Sequence, residues 1–349
     1  MGLVMDFKEW KKYKLDELIE IKYGKDHKHL LQGLIPVYGS GGIMRYANKS
    51  LYENESILIP RKGTLNNIMY INKPFWTVDT MFFSKILNGV NGKFLFYQLK
   101  TIDFASMNVG SAVPSMTIEI LKNLEIDCPD LATQTRIAAI LSSIDDKIEL
   151  NRQTNATLEA LAQTLFKELC LPKNGENTEG WRVGKIEEVL VLQRGFDLPS
   201  TVRIEGKYPV IAASGINGYH NEFKNKAYGV TTGRSGVLGN VFYIQEDFWA
   251  LNTSLFVKDF KIGHPIFSYF LLKTIDLKNY NGGSAVPTLN RNEVHGIEIT
   301  IPPISNIDKF SSIAIKIYHL IKANEEETQT LTTLRDSLLP KLMKGEIAV

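Results

Sequence analysis

The sequence predicts an α+β protein: two copies of one mixed α/β domain, each followed by a long helix, with the two helices pairing as an antiparallel coiled coil. Three observations carry this. GSAVPSM (Gly110 to Met116) returns as GSAVPTL (Gly283 to Leu289), with five identical residues displaced by 173 positions. Short segments that alternate apolar and polar side chains between Gly, Asn and Pro breaks precede each of these turns. Each copy then closes on a stretch whose apolar residues recur at alternating spacings of four and three, as in a coiled-coil seam.

The displacement of 173 extends well beyond the turn. It carries Pro36-Val37 onto Pro209-Val210, Gly42-Ile43 onto Gly215-Ile216, Tyr46 onto Tyr219 and Asn48 onto Asn221. It also carries Gly63, Asn67, Phe75-Trp76 and Thr80 onto Gly236, Asn240, Phe248-Trp249 and Thr253. Nearer the start, Trp10 and Gly24 match Trp181 and Gly195 at 171, which places a two-residue insertion between Gly195 and Pro209. A period this long makes each copy a domain rather than a solenoid repeat. The expected division is a first domain at 1–130, its helix at 131–170, a polar linker LPKNGENTEG at 171–180, a second domain at 181–303 and its helix at 304–349.

Within each copy the order of elements repeats. SILIPRKG, NIMYIN and TMFFSKI read as strands, as do GNVFYIQ and TSLFVKD in the second copy. GKFLFYQLKTID and its counterpart HPIFSYFLLKTID read as a helix, and LEIDCP and IEITIP as the strand after the GSAVP turn. A Pro then breaks the pattern before the long helix. The first seam runs Ile137, Leu141, Ile144, Ile148, Asn151, Asn155, Leu158, Ala162, Leu165; the second runs Phe310, Ala314, Ile317, Ile321, Asn324, Thr328, Leu331, Arg335, Leu338. Asn151 and Asn324 are midway along their seams, where Leu would be more stable, so each is read as a register residue, and antiparallel pairing is expected to set them opposite each other. A helix of about thirty residues would span roughly 45 Å.

The 349 residues suit two domains plus connectors, and 44% apolar with 22% charged residues is a globular composition. No apolar run reaches the roughly 18 residues of a membrane span. The start, MGLVMDFKEWKK, lacks a basic-then-apolar leader, and Cys128 and Cys170 alone make no disulfide framework, so cytoplasmic residence is expected. The net charge of +2 is weak for a stand-alone nucleic-acid binder.

Catalytic patterns are thin. GVNGKF lacks the first Gly and the Ser/Thr of a phosphate-binding loop, and no G-x-S-x-G elbow occurs. His27 and His29 have no Cys or carboxylate cluster beside them and read as solvated loop histidines. INKPFW faintly resembles the base-holding loop of amino-methyltransferases, but Lys73 replaces its first Pro and no glycine-rich cofactor loop follows an early strand. Pro129-Asp130 with Asp145-Asp146-Lys147 matches a nuclease pattern in form only; the last three sit mid-helix beside Ile144 and Ile148 and read as solvated flank charges. Neither a metal nor a cofactor is therefore expected on this chain.

What remains suits recognition. PRKGTLNN contributes Arg61, Lys62, Asn66 and Asn67, TTGRSGVLGN contributes Arg234, Ser235 and Asn240, and the earlier loop GSGGIMRYANKS contributes Arg45. SGINGYHNEFKNK in the second copy has the same polar, glycine-rich character. Gly lets a backbone approach a ligand closely, Arg can contact phosphate or a guanine edge, and Asn an adenine edge. The glycines fit hairpin turns equally well, so the functional reading rests on the Arg, Lys and Asn.

Taken together, the Trp10 and Trp181 segments, the GSAVP turns, QTRIAAILSSIDDKIELNRQ and the ending LRDSLLPKLMKGEI make the whole chain similar to specificity subunits of type I restriction–modification systems. The second helix departs from the family wording, since SNIDKFSSIAIKIYHLIKANEEE lacks Gln-x-x-Ile-Ala. The resemblance implies a non-catalytic subunit whose two target-recognition domains each read half of a split double-stranded DNA target in the major groove. It implies helices that act as a ruler and dock two methyltransferase subunits, which bind S-adenosylmethionine, with restriction subunits joining them. Partners on the same DNA would relieve this chain of much phosphate neutralisation, in keeping with its low charge. The alternatives are a bifunctional methyltransferase or nuclease, and a coiled-coil scaffold without DNA contact.

Overall fold

The computed structural model describes residues 10–110, 112–172, 179–283, 286–347 and 349. Ser111, Ser284 and Ala285 of the repeated turn, residues 173–178 of the expected linker and the first nine residues lie outside the described residues. The chain divides into two compact units, Met1–Asn151 with Glu326–Val349, and Arg152–Glu325.

The first unit runs β1 (Lys11–Lys14), α1 (Leu15–Leu18), β2 (Ile19–Tyr23), β3 (Ile35–Gly39), β4 (Gly42–Ala47), β5 (Ser56–Pro60), β6 (Met69–Ile71), β7 (Trp76–Thr77) and β8 (Met81–Ile86). Then come α2 (Gly92–Lys100), α3 (Ile118–Lys122), β9 (Glu125–Cys128) and the long α4 (Leu131–Cys170). Its strands form three sheets, β2-β8-β5-β6, β4-β3-β7 and β1-β9. β5 is buried along its whole length, so its SILIP is an apolar run and not the alternation expected of it. Its neighbour β8 is tied to it through Ser56, whose hydroxyl donates to Ser84 O (2.7 Å), and Ser84, whose hydroxyl accepts from Ile57 N (2.8 Å). Pro60 ends the strand, where a missing N–H is tolerated. In α2 the side chain of Asn91 accepts from Phe94 N, and Phe94, Leu95 and Leu99 are buried in the core with Ile57, Phe82, Leu121 and Ile126.

The second unit repeats this order as β10 (Arg182–Lys185), α5 (Ile186–Val189), β11 (Leu190–Arg194), β12 (Tyr208–Ala212), β13 (Gly215–His220), β14 (Gly229–Gly233), β15 (Val241–Ile244), β16 (Trp249–Ala250) and β17 (Ser254–Phe260). α6 (Pro265–Thr274), α7 (Arg291–His295), β18 (Glu298–Ile301) and the long α8 (Ile304–Met343) complete it. The sheets are β11-β17-β14-β15, β13-β12-β16 and β10-β18, strand for strand those of the first unit. The short helices α1, α3, α5 and α7 are too brief to leave a periodicity. The last strand of each copy therefore does not directly follow the GSAVP turn as expected, because α3 or α7 comes between, started by Thr117 or Asn290, whose side chain accepts a backbone N–H.

α4 and α8 each have 40 residues, longer than the seams alone suggested, or about 60 Å at 1.5 Å per residue. The unit boundary falls inside both. The start of α4 packs in the first core through Ile137, Ala138 and Leu141, where it meets Leu342 and Met343 from the end of α8. The end of α4 packs in the second core through Ala162, Phe166 and Cys170, beside Phe310 and Ala314 of α8; the Phe166 and Phe310 rings are 5.1 Å apart. Within each unit the helices run antiparallel; the seams are buried at Ile137, Leu141, Ile144 and Ala162 and at Phe310, Ala314, Ile317 and Ile321, and only half-buried at Ile148, Leu158, Leu165, Leu331 and Leu338.

The register differs from the expected one. Asn151 does not face Asn324. Its amide donates to Glu327 Oε2 (2.8 Å) and Thr328 Oγ1 (3.4 Å), whereas Asn324 donates to Asn155 Oδ1 (2.8 Å). Asn155 and Thr328 are themselves equivalent positions in the two copies, so each unit joins the same two seam positions, Asn151 to Thr328 in the first and Asn324 to Asn155 in the second. The apolar ends decide this. Each fully buried Leu or Phe contributes roughly 1.5–3 kcal/mol, against about 1 kcal/mol for one neutral hydrogen bond, so the best packing of the ends prevails over matching the two asparagines.

Asp145 is also more than a solvated flank charge. It accepts from the Tyr97 hydroxyl (2.6 Å) and from Arg335 Nη1 (2.9 Å), a half-buried node that ties α2, α4 and α8 together.

Candidate nucleic-acid interface

Each copy builds the same Arg-bearing loop and braces it against the GSAVP turn. In the first unit the amides of Arg61 and Lys62 donate to Thr80 O at 2.8 and 3.1 Å; in the second, those of Arg234 and Ser235 donate to Thr253 O at 2.8 and 3.0 Å. Gly63 N donates to Pro114 O (2.9 Å) and Met116 N to Arg61 O (2.9 Å), matched by Gly236 N to Pro287 O (3.0 Å) and Leu289 N to Arg234 O (2.8 Å). Gly63 and Gly236 have φ of +90° and +87°, the left-handed region that a side chain disfavours. The turn is closed by one Asn in each copy. Asn108 Oδ1 accepts from Gly110 N and Ser115 N, both at 2.8 Å, and Asn281 Oδ1 from Gly283 N (3.0 Å) and Thr288 N (2.9 Å). The repeated turn is thus the support of the Arg loop.

The guanidiniums are held alike. Arg61 Nη1 donates to Asp79 O and Arg234 Nη1 to Asn252 O, both at 3.2 Å. Arg61 also lies over the Tyr23 ring, 5.4 Å from its centre. Arg234 is held below the usual arginine range by partial burial and then by the neighbouring Arg194. Lys62 is exposed, with no side-chain partner among the described residues.

Other expected residues are committed to the fold. Asn66 donates to Asp103 Oδ1 (3.0 Å) and accepts from Ala105 N (2.9 Å), and Asn67 donates to Ser40 O (2.7 Å). Arg45, expected in the earlier loop, is on β4 and donates to Leu30 O at 3.0 Å. The carbonyl of Asn240 accepts from Thr232 Oγ1 (2.8 Å), while its side chain is exposed. Two cations that no motif singled out, Arg194 and Arg291, line an open cleft with Arg234. Each stands alone in the sequence, on different elements, so only folding brings them together.

The enzyme-like patterns find other uses. Asp130 accepts from Thr133 N (3.1 Å) at the start of α4, and Lys147 bonds to Asn151 and Glu327. Phe75 and Trp76 are core residues. His29 is exposed and edge-on to Trp76, and among the described residues no group of three or more His, Cys, Asp or Glu could hold a metal ion.

Comparison with known proteins agrees with this duplicated architecture. The family described as the type I restriction modification DNA specificity domain matches residues 7–160 and again 178–335. The specificity subunit of the type I restriction enzyme MjaIX of Methanocaldococcus jannaschii is 25% identical, over 86% of this chain and 79% of its own length. A putative type I specificity subunit of Mycoplasma pneumoniae is 24% identical over 88% of this chain and 89% of its own. The crystal structure of a type I restriction–modification S subunit from M. genitalium has the same fold, with a TM-score of 0.75 over 98% of both chains at 20% identity.

Proposed function

The chain belongs to the type I restriction–modification DNA specificity family, matched over both copies, and from that premise we propose that it reads a bipartite double-stranded DNA target, one half-site per unit. The observation that carries this reading is the Arg loop built twice on the same braced turn, which suits two equivalent half-sites. In this reading α4 and α8 set the spacing between the half-sites and dock methyltransferase and restriction subunits. S-adenosylmethionine is bound by the methyltransferase partner, and this chain, working in the cytoplasm, carries no catalytic group of its own.

The test has two parts. The purified full chain, titrated with duplex DNA at several salt concentrations, is expected to bind with steep salt dependence. With S-adenosylmethionine added, it is expected to transfer no methyl group and to cut no DNA. Salt-independent or absent binding would favour a scaffold, and methyl transfer by the homogeneous chain would overturn the division of labour.

A further inference from the structure

Beside the Arg loop of the second unit lies an open cleft of about 560 Å³, lined by Arg194 at the end of β11, Arg234, Thr288, Asn290, and Arg291 and Glu293 of α7. Arg194 and Arg291 have no hydrogen-bond or carboxylate partner among the described residues, and Arg234 is bound only to a neutral carbonyl. Glu293 is the one carboxylate of the lining, and its Oε1 lies 3.5 Å from Asn290 Nδ2. Three cations and one anion leave the cleft at +2. Convergent guanidiniums without carboxylate partners repel one another and are stabilised when an anion completes the set.

The first unit does not repeat this arrangement. At the positions equivalent to Arg194, Arg234, Arg291 and Glu293 it has Tyr23, Arg61, Ile118 and Ile120. One cation stacked on an aromatic ring replaces the cluster.

We infer that the cleft of the second unit holds a backbone phosphate of the DNA, with Arg194, Arg234 and Arg291 as its ligands, and that the first unit has no equivalent clamp. This rests on the DNA reading above. A guanine edge is neutral and is satisfied by one bidentate Arg, whereas three cations from three segments fit a tetrahedral anion. The two units therefore differ in how they hold DNA, and the second contributes more of the salt dependence.

The experiment uses the full chain and labelled duplexes, one carrying the methylation-mapped target and one scrambled, with affinity measured against salt. Arg194→Ala and Arg291→Ala are each expected to reduce the slope of log affinity on log salt by about one and to weaken both duplexes alike. Arg194→Lys is expected to retain the slope, and Ile118→Ala to leave it unchanged. Melting temperatures of the Arg194 and Arg291 variants should equal or exceed the wild type, since neither side chain is bonded within the protein and removing one relieves repulsion among the three; a lowered melting temperature would make the residue structural and overturn the assignment. An unchanged slope, or loss of discrimination at a single base pair, would overturn the phosphate clamp alone. No DNA binding by the wild-type chain would overturn the DNA reading and the clamp with it.

Discussion

Asn108 and Asn281 each serve two backbone N–H groups with one carbonyl oxygen. No other side chain of similar size has this acceptor without a negative charge, so each closes its turn without adding charge beside the Arg loop. Asn281→Ala leaves two N–H groups to water. At about 1 kcal/mol per neutral bond, in an exposed turn, the second unit should lose ~1–2 kcal/mol of stability. Its Arg loop loses its brace, so recognition should weaken for the second half-site and hold for the first. Denaturant unfolding, together with binding to duplexes altered in one half at a time, checks this; equal loss in both halves would count against it. Asn66 and Asn67 looked like base readers because Asn suits an adenine edge and a tight turn equally well. Residue type does not separate the two uses; in this fold the two amides are bonded to Asp103, Ala105 and Ser40.

At the scale of elements, the long helices show a trade between stability and register. Asn324 donates to Asn155 Oδ1 (2.8 Å) and Asn155 to Ile321 O (3.2 Å), half-buried hydrogen bonds within the seam. Replacing both by Leu exchanges two hydrogen bonds of about 1 kcal/mol each for the half-burial of two Leu side chains, roughly 1.5–3 kcal/mol together, so the double variant should melt no lower than the wild type. It should also lose the constraint on register, because Leu packs acceptably one turn away. Calorimetry reports the first effect, and altered pairing seen by cross-linking across the helices reports the second. A double variant that melts lower would show that the pair is a net stabiliser. The seams were plain in the sequence because a spacing of four and three is local. The four-residue offset between Asn151 and Asn324 was not, since it depends on how Phe166, Phe310, Leu342 and Met343 pack at the helix ends.

For the whole molecule, the notable fact is that each long helix begins in one unit and ends in the other. If the helices set the spacing of the half-sites, lengthening them should change the spacer and nothing else. Four residues add ~6 Å at 1.5 Å per residue, or roughly one to two base pairs. Because α8 crosses the boundary as α4 does, an insertion after Leu150 needs a matching one after Glu325 to keep the pair in step. A four-residue insertion locally unwinds a coiled coil without breaking its seam. The expected outcome is a longer non-specific spacer with both half-site sequences unchanged, read from the methylated motif across a host genome. Retained activity with an unaltered spacer would remove the helices from that role.

By itself the amino-acid sequence determined the duplication, several strands and the longer helices of each copy, both helical seams and the family. These are recorded in repeated words such as GSAVP and in periodicities a few residues long, and local chemistry enforces them. Tertiary structure alone decided that Asn151 meets Thr328, that Asp145 joins Tyr97 to Arg335, and that Arg194, Arg234 and Arg291 converge on one cleft. Each of those is a contact between residues distant in the chain. Its outcome depends on which of several competing packings buries the most apolar surface while leaving the fewest polar groups unpaired, and no local pattern records that choice.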